Sequence, residues 1–562
     1  MPASLVDACF LLFDVLKAPA RWQALPVRAD VDAALARQVI EEAAAFIDGR
    51  IAPLQSVGDR EGCRYDPATG RVNMPPGFAE SYADWWHAGW PSLARPVEEG
   101  GQGLPPVIES LVDDLLAQAN QAWNMAPGLL PGACECLRHA GDDALRAAWL
   151  PGLVSGETLA TMSLTEAHAG SDLGLLRTTG TPRPDGSLRV KGSKIFITGG
   201  DHDLTANIVH LVLGRLPEAP AGPAGLSLFL VPKLLADGSP NGVVCDGIEH
   251  KMGLHGSSTC SLRFDDATGW LLGGPHQGLA AMFRMMNAAR LHTALQGVGL
   301  LEAAWRIADG YAAERRQMRA PGTTSAGPST LHEHPAIRRI LDVQRAWIDG
   351  GRLLGFRTAL ALDDIEHHPD AAHRVRAQRW CSFITPVLKA ALTAQAFDGA
   401  SACLQVLGGH GYIREWGIEQ IVRDARVTLI YEGSNEIQAI DLLVRKTLPD
   451  GGAAFGQWLD DLLDECPAGP RHAALSARAD LLRQTVLRIA AAGQADAATP
   501  YRLADDWLQA VAVWLLDWAW QHITAEAPAG DARWHAPARA LADRVLPGFD
   551  ARLALVGRQL PA

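Results

Sequence analysis

Apolar residues recur at three- and four-residue spacing through DAALARQVIEEAAAFI, Asp32 to Ile47, the repeat of a helix that turns one face inward. Ala- and Leu-rich runs of the same period continue to about Val154, separated by loops such as GGQGLPP, Gly100 to Pro106, where Gly and Pro interrupt a helix. From Thr161 to about Asp266 the texture changes. Short alternating or continuous β-branched runs (SLRVKGSKIFIT, NIVHLVLGRL, GLSLFLVP, CSLRFDD) lie between Gly, Asp and Pro turns, which predicts a small antiparallel sheet or barrel. Long helical patterns return from Gln277 to Lys446 and predict a bundle, interrupted by Arg319 to Glu333, whose RAPGTTSAGPST composition suits a flexible insertion. The PDGG break at Pro449 to Gly452 opens a last helical segment rich in Ala, Leu and Trp. The pattern predicts an α+β chain: a helical extension over 1–28, a helical domain over 29–158, a β domain over 159–272, a helical bundle over 273–448 and an additional helical domain over 449–562.

The 562 residues are too many for one core, in line with that division. A formal net charge of -13 and the absence of long basic runs argue against a nucleic-acid or anionic-membrane surface, which needs clustered Lys and Arg. Nine cysteines are scattered singly, apart from the Cys134 and Cys136 pair, which lacks a second metal-ligand pair; a reduced, cytoplasmic protein without a metal site is expected. Asp7 and Asp14 stand among the first apolar residues with no basic run before them, so a secretory signal is not expected. The most apolar late stretch, Leu508 to Trp520, contains Asp517 and is short of the ~20 residues that span a bilayer, so a buried bundle helix is expected there.

Chemistry concentrates in a few stretches. Arg423 to Gln438, RDARVTLIYEGSNEIQ, sets Glu432 after an apolar run and before Gly433, Ser434 and Asn435, residues that cap a helix and offer backbone N–H groups. Asp424 and Glu415 are nearby carboxylates, but RDAR reads as structural, its charges pairing along or between helices. TEAHAGSD, from Thr165, puts hydroxyls and a small residue in a loop suited to phosphate oxygens or a ring edge. KIFITGG places Phe196 and Thr198 on one side of a strand, an aromatic face beside a hydroxyl. In GGHGY, Gly408, Gly409 and Gly411 permit close backbone approach. Each alone reads better as a polar turn, a core aromatic or a helix break. No GxxxxGK[ST] loop and no GxGxxG after a strand is present.

Together these stretches resemble the acyl-CoA dehydrogenase family over almost the whole chain: ATMSLTEAHAGSD, VKGSKIFITGG, RFDD with WLLGGPHQGL, YAAERRQ, QVLGGHGYIRE and RDARVTLIYEG occur in family order. HKMGLHGSSTC, MMNAARL, the insertion before HPAIRRIL, the leading FLLFDVL and the extra C-terminal helices resemble its long bacterial branch, that of broad-range fatty acyl-CoA and 3-methylmercaptopropionyl-CoA dehydrogenases. The resemblance implies the family fold and FAD held without a Rossmann domain. Met162, Leu164, Thr165, Gly170 and Ser171 would line the flavin and its pyrophosphate, with Thr198 near flavin N5 and Phe196 where Trp is frequent. Arg315, Gln405, Gly408 and Gly409 would bind the neighbouring subunit's pyrophosphate, and Ser434 and Glu436 are further expected cofactor contacts. Glu436 and Pro335 stand where many members carry Gln.

The implied reaction is α,β-dehydrogenation of an acyl-CoA to the trans-2-enoyl-CoA, with electrons passed to an electron-transfer flavoprotein. Glu432 would be the base, since the alternative family position, just before the Arg of MMNAARL, is Ala289 here. Ser171, Asn287, Arg290, Tyr431 and Gly433 would contact substrate. A homodimer is expected, its C-terminal helices covering the surface that shorter members use to form tetramers. Two other readings fit the scaffold: a flavin oxidase or monooxygenase, which Glu432 argues against, and a DNA-associated flavoprotein of the alkylation-response type, which the acidic stretch from Asp450 onward argues against.

Overall fold

The computed structural model describes residues 3–324, 326–469 and 471–560. Two compact units emerge: Met1–Glu41 with Pro105–Gln118 and Thr293–Ala562, and Glu42–Leu104 with Ala119–His292. Each is therefore built from separated stretches of chain. The Pro106–Asn124 helix is shared between them and leaves helical geometry at Asn120, φ -164 and ψ 86.

The second unit carries the sheet. Its strands are β1 (Arg64–Asp66), β2 (Arg71–Asn73), β3 (Thr158–Ser163), β4 (Thr179–Pro182), β5 (Leu188–Thr198), β6 (Asn207–Arg215), β7 (Leu226–Pro232), β8 (Val243–Ile248) and β9 (Thr259–Leu272). The sheet is mixed, not purely antiparallel: β3 runs parallel to β6, Thr158 opposite Asn207 through Ser163 opposite Val212. Beyond Val212, Arg215 of β6 meets Thr179 of β4, while the other edge of β6 takes β7 antiparallel. The path β6-β4-β5-β9-β7 thus returns to β6 and closes, the barrel-like alternative of the two expected. Along β6 and β7 nearly every residue is buried, as expected of strands covered on both faces.

The β1–β2 hairpin interrupts a stretch that the apolar pattern marks as helical. Asp66 makes the turn, accepting from the Ala68 N–H at 2.9 Å and the Thr69 hydroxyl at 2.8 Å, and Gly70 adopts φ 67. Val72 joins the sheet core with Val190, Phe229 and Phe264, and the Tyr65 hydroxyl donates to the Cys245 carbonyl at 3.1 Å.

The first unit is helical. Three long helices, Gly278–Glu314, Pro335–His367 and Ala371–Val406, share one of its cores, with Leu300, Ala304, Leu341, Ala400 and Cys403 packed together. Two of them carry a buried ion network that reaches Asp114: Arg352 Nε donates to Asp114 at 2.6 Å and its Nη2 to Glu302 at 3.2 Å, and Arg345 pairs with Glu302 and Asp349. The segment expected as a flexible insertion has its ends zipped: the Gln317 N–H donates to the Ser329 carbonyl at 3.0 Å, the Ser329 N–H to the Met318 carbonyl at 2.7 Å and the Leu331 N–H to the Arg315 carbonyl at 2.9 Å.

The Trp-rich stretch is the centre of the Thr499–Glu526 helix, with Trp507, Trp514, Trp518 and Trp520 buried. Three of these indoles donate to carbonyls: Trp514 to Leu475 at 3.0 Å, Trp518 to Leu462 at 2.8 Å and Trp520 to Ala346 at 2.8 Å. This helix crosses Pro335–His367 where Gly350 stands; a Cβ there would meet Leu516 at 2.4 Å. The leading segment joins the same assembly, with Phe10 against Trp534 at 4.6 Å between ring centroids, Asp7 paired with Arg533, Lys17 with Glu526 and Arg28 with Asp363. No helix among the described residues is long and apolar enough to cross a membrane.

Candidate active site

The Ile418–Arg426 helix ends in a short 3-10 turn, Val427–Leu429, and the chain then reverses through two consecutive left-handed residues, Glu432 at φ 57 and Gly433 at φ 82. Glycine takes that conformation without strain, but in a residue with a Cβ it costs roughly 1–2 kcal/mol. Glu432 is half-buried. Strain of this kind persists only where neighbours over-determine it. Here the Gln438 side-chain amide donates to the Glu432 carbonyl at 3.0 Å and to the Gly433 carbonyl at 3.3 Å. Ser434 caps the Asn435–Ile440 helix, its hydroxyl accepting from the Ile437 N–H. Asn435 fixes that helix to Ala371–Val406, accepting from the buried Lys389 ammonium at 2.9 Å and the Thr393 hydroxyl at 3.2 Å and donating to the Ala390 carbonyl at 3.0 Å.

On the other side of the turn the Tyr431 hydroxyl donates to Gln296, and burial with the nearby Glu432 carboxylate raises the phenol above its ordinary range. Glu436 is exposed, and its own backbone N–H and the Ser434 hydroxyl hold its carboxyl below the usual range. Asp424 is buried on the Ile418–Arg426 helix and accepts from Gln420 at 3.3 Å, while Arg423 pairs with Glu419 one turn back, the structural role expected of RDAR.

In the sheet unit, Met162, Leu164 and Thr165 are half-buried at the end of β3, and Gly170 and Ser171 are exposed in the following loop. A Cβ on Gly170 would meet nothing within 4 Å, so the loop surface there is open. What holds this loop is a feature the sequence reading passed over. Lys194, fully buried on β5, donates to Glu166 at 2.9 Å and to the Leu164 and Leu213 carbonyls at 2.8 and 2.7 Å, so all three ammonium protons are used. Glu166 also accepts from the Thr178 hydroxyl at 2.7 Å and from the Arg177 N–H at 2.8 Å. Burial pushes the Lys194 ammonium down, to about 8, against the pull of Glu166. Burial works to raise Glu166 too, but Lys194 and the Thr178 hydroxyl overcome it and leave that carboxyl low, so the pair stays ionised near neutrality.

Phe196 owes its position to a bulge. Lys194 pairs with Leu262 and Ile197 with Cys260, so β5 advances three residues while β9 advances two. Strict alternation from Leu188, Val190 and Lys194 would send Phe196 inward; the extra residue turns it out, with φ 59 and 59% of its surface exposed. Ile197 takes the core position instead, leaving Phe196 and the half-buried Thr198 on the opposite face. Ala289 and Arg290 are both buried on the Gly278–Glu314 helix. The Asn287 side chain lies outside the described residues.

Arg315, Gln405, Gly408 and Gly409, from stretches far apart in sequence, line one groove of about 370 Å³ in the helical unit. Gly408 has φ 58, and a Cβ on it or on Gly409 would meet nothing within 4 Å, so the backbone is open to close approach. One wall is aromatic: the Tyr311 hydroxyl is 2.9 Å from His410 Nδ1, and His410 stacks on Trp416 at 4.8 Å.

Three family descriptions match successive parts of this chain: the N-terminal domain of acyl-CoA dehydrogenases over residues 35–157, the middle domain over 161–267 and the C-terminal domain over 276–446. The protein belongs to the acyl-CoA dehydrogenase family and is an oxidoreductase of that family. Within it, the chain is similar to the 3-methylmercaptopropionyl-CoA dehydrogenase of Ruegeria pomeroyi, 42% identical over 435 residues that cover 76% of this chain and 74% of that one. It is also similar to the broad-specificity linear acyl-CoA dehydrogenase FadE5 of Mycobacterium tuberculosis, 34% identical over 520 residues, covering 89% and 83%. The fold matches that of an acyl-CoA dehydrogenase complexed with FAD from Bacillus anthracis, with TM-score 0.76 at 19% identity, over 96% of this chain and 91% of that one. Residues 447–562 lie beyond the three family descriptions, and the FadE5 match, which covers 89% of the chain, extends past them.

Proposed function

We propose that the protein catalyses α,β-dehydrogenation of an acyl-CoA thioester to the trans-2-enoyl-CoA, with FAD as cofactor and an electron-transfer flavoprotein as electron acceptor. The observation that carries this reading is Glu432, a half-buried carboxylate on a left-handed backbone braced from two sides. Glu432 takes the α-proton as general base, and its backbone N–H stabilises the thioester oxygen as enolate character develops. Tyr431 and Gly433, on either side of the base, orient the thioester. The names of the two relatives support the substrate class, since both are described as acting on acyl-CoA thioesters.

Each unit, taken by itself, carries features that suit part of a flavin dinucleotide. Phe196 offers an exposed aromatic face beside the Thr198 hydroxyl, Gly170 and Ser171 form an open loop, and Arg315 sits with two unobstructed glycines in one groove. Arg315 suits a pyrophosphate because its planar cation donates in fixed pairs. Bound there, FAD would supply the hydride acceptor for the β-carbon and the outlet for the electrons. The protein acts as a homodimer in which the Arg315 groove serves the partner's cofactor.

Glu432→Gln keeps size and hydrogen bonding but removes basicity, so stopped-flow flavin reduction by an acyl-CoA should fall by ~10²- to 10⁴-fold. FAD content and acyl-CoA binding should be retained. Wild-type reduction in this variant refutes the assignment and moves the search to Asp424.

A further inference from the structure

We infer that Gln438 is a positioning residue for the base: its side-chain amide holds the two left-handed peptides of the Glu432–Gly433 turn and so aims the Glu432 carboxylate. This rests on the reading of Glu432 as the base. The carbonyls of two successive residues converge on one nitrogen, Nε2, at 3.0 and 3.3 Å. Both N–H groups of that amide are thereby used, which fixes its orientation: the flipped amide would set an oxygen against two carbonyl oxygens. Gln438 is fully buried, and its Oε1 has no hydrogen-bond partner among the described residues, so the amide's bonding through its nitrogen goes entirely to the turn.

The brace is itself anchored. The Gln438 backbone N–H donates to the Ser434 carbonyl at 3.0 Å, within a helix that Asn435 ties to Lys389, Ala390 and Thr393. A rigid path therefore runs from the long Ala371–Val406 helix through Asn435 and Gln438 to the backbone that carries the base. Gly433 completes it, because a Cβ there would meet Gln438 Nε2 at 2.8 Å and would push the amide off the turn. Losing these two hydrogen bonds removes their hold against relaxation of Glu432 towards right-handed geometry, which would swing the carboxylate away from its present direction.

The test separates proton abstraction from oxidation. A 3-thia-acyl-CoA has α-protons but no hydrogen on the sulfur at its β position, so exchange of its α-protons for deuterium in D₂O, followed by mass spectrometry on the holoenzyme, reads the base alone. Gln438→Met keeps the length and fills the site without a donor; exchange should fall on the order of 10²-fold, the scale of a small misplacement. The dissociation constant for the 3-thia-acyl-CoA and the flavin absorbance should stay at wild-type values, which a general loss of structure would not allow. In Gln438→Glu the deficit should narrow as pH falls, because only the protonated carboxyl regains a donor for the turn. If Gln438→Met does not accumulate folded, the Gln438→Glu profile decides alone. Wild-type exchange in Gln438→Met, or a Gln438→Glu profile parallel to wild type, overturns the inference. Glu432→Gln run alongside distinguishes the failures: if it too exchanges at the wild-type rate, the base reading has failed rather than the role of Gln438.

Discussion

Replacing Arg352 with Met tests the ion network inside the helical unit. Arg352 is 0% exposed and donates to Asp114 at 2.6 Å and to Glu302 at 3.2 Å, with Asp349 at 3.9 Å. Two arginines, Arg345 and Arg352, face three carboxylates, Asp114, Glu302 and Asp349, for a formal charge of -1; the substitution makes it -2 with no water to screen it. Methionine fills much of the same volume, so the loss is electrostatic, and removing one partner of a buried pair costs about 3–5 kcal/mol. Pairing it with Asp114→Leu returns the network to -1 and should recover much of the loss, since an apolar replacement of a whole buried pair is often near neutral. Urea unfolding followed by helical circular dichroism, with hydrogen exchange on the Pro335–His367 helix, measures both variants and their coupling. A cost below about 1 kcal/mol for Arg352→Met, or additive single and double variants, would show that the network is solvated or relaxes freely.

The same network predicts acid sensitivity. Burial works to raise the Glu302 carboxyl, but Arg345 and Arg352 outweigh it and hold it low, so its stabilisation is present above the unfolded carboxylate pKa and is lost as pH falls through the folded value. Glu302→Gln should therefore flatten the acid limb of a stability–pH curve below about pH 4.5, and an unchanged limb would contradict this. Arg315→Ala should weaken FAD retention on dialysis, and retention equal to wild type would remove Arg315 from the cofactor site. Deleting the residues after Pro449 bares the face at Gly350 and Ala346 that now packs on Leu516 and Trp520, and should produce aggregation or a new oligomeric state on sizing. An unchanged soluble species would show that this face needs no cover.

Periodicity read the helical and β textures well because apolar spacing reports which face is buried. It does not report what a strand pairs with, so the parallel β3–β6 pairing was not legible. The β1–β2 hairpin has strands of three residues each, too short to register as alternation against a helical background. Phe196 shows the limit at the site: its aromatic type was readable, but its exposure depends on one extra residue in β5, which leaves no mark in composition. The motif around Glu432 was readable as far as the residue types, whereas the left-handed backbone and the Gln438 brace exist only once the Asn435–Ile440 helix is anchored. Lys194 opens the KIFITGG strand, where a lysine usually faces solvent, and only the closed sheet shows that it is enclosed.

The pairing of Lys17 with Glu526, 509 residues apart, bears on the order in which the chain is made. Together with Asp7–Arg533 and Phe10–Trp534 it means that this early segment meets these particular partners only after the whole sheet unit and most of the helical unit have been made. The sheet unit, complete by His292, can fold far earlier and so separates the early and late portions of the helical unit in time as well as in sequence. Equilibrium stability hardly registers the distance, because each doubling of a loop adds only ~0.6 kcal/mol of closure entropy. The burden is kinetic: until translation passes Trp534, Phe10 of the FLLFDVL segment lacks the ring it packs against, and chaperone occupancy of nascent chains should persist over that interval.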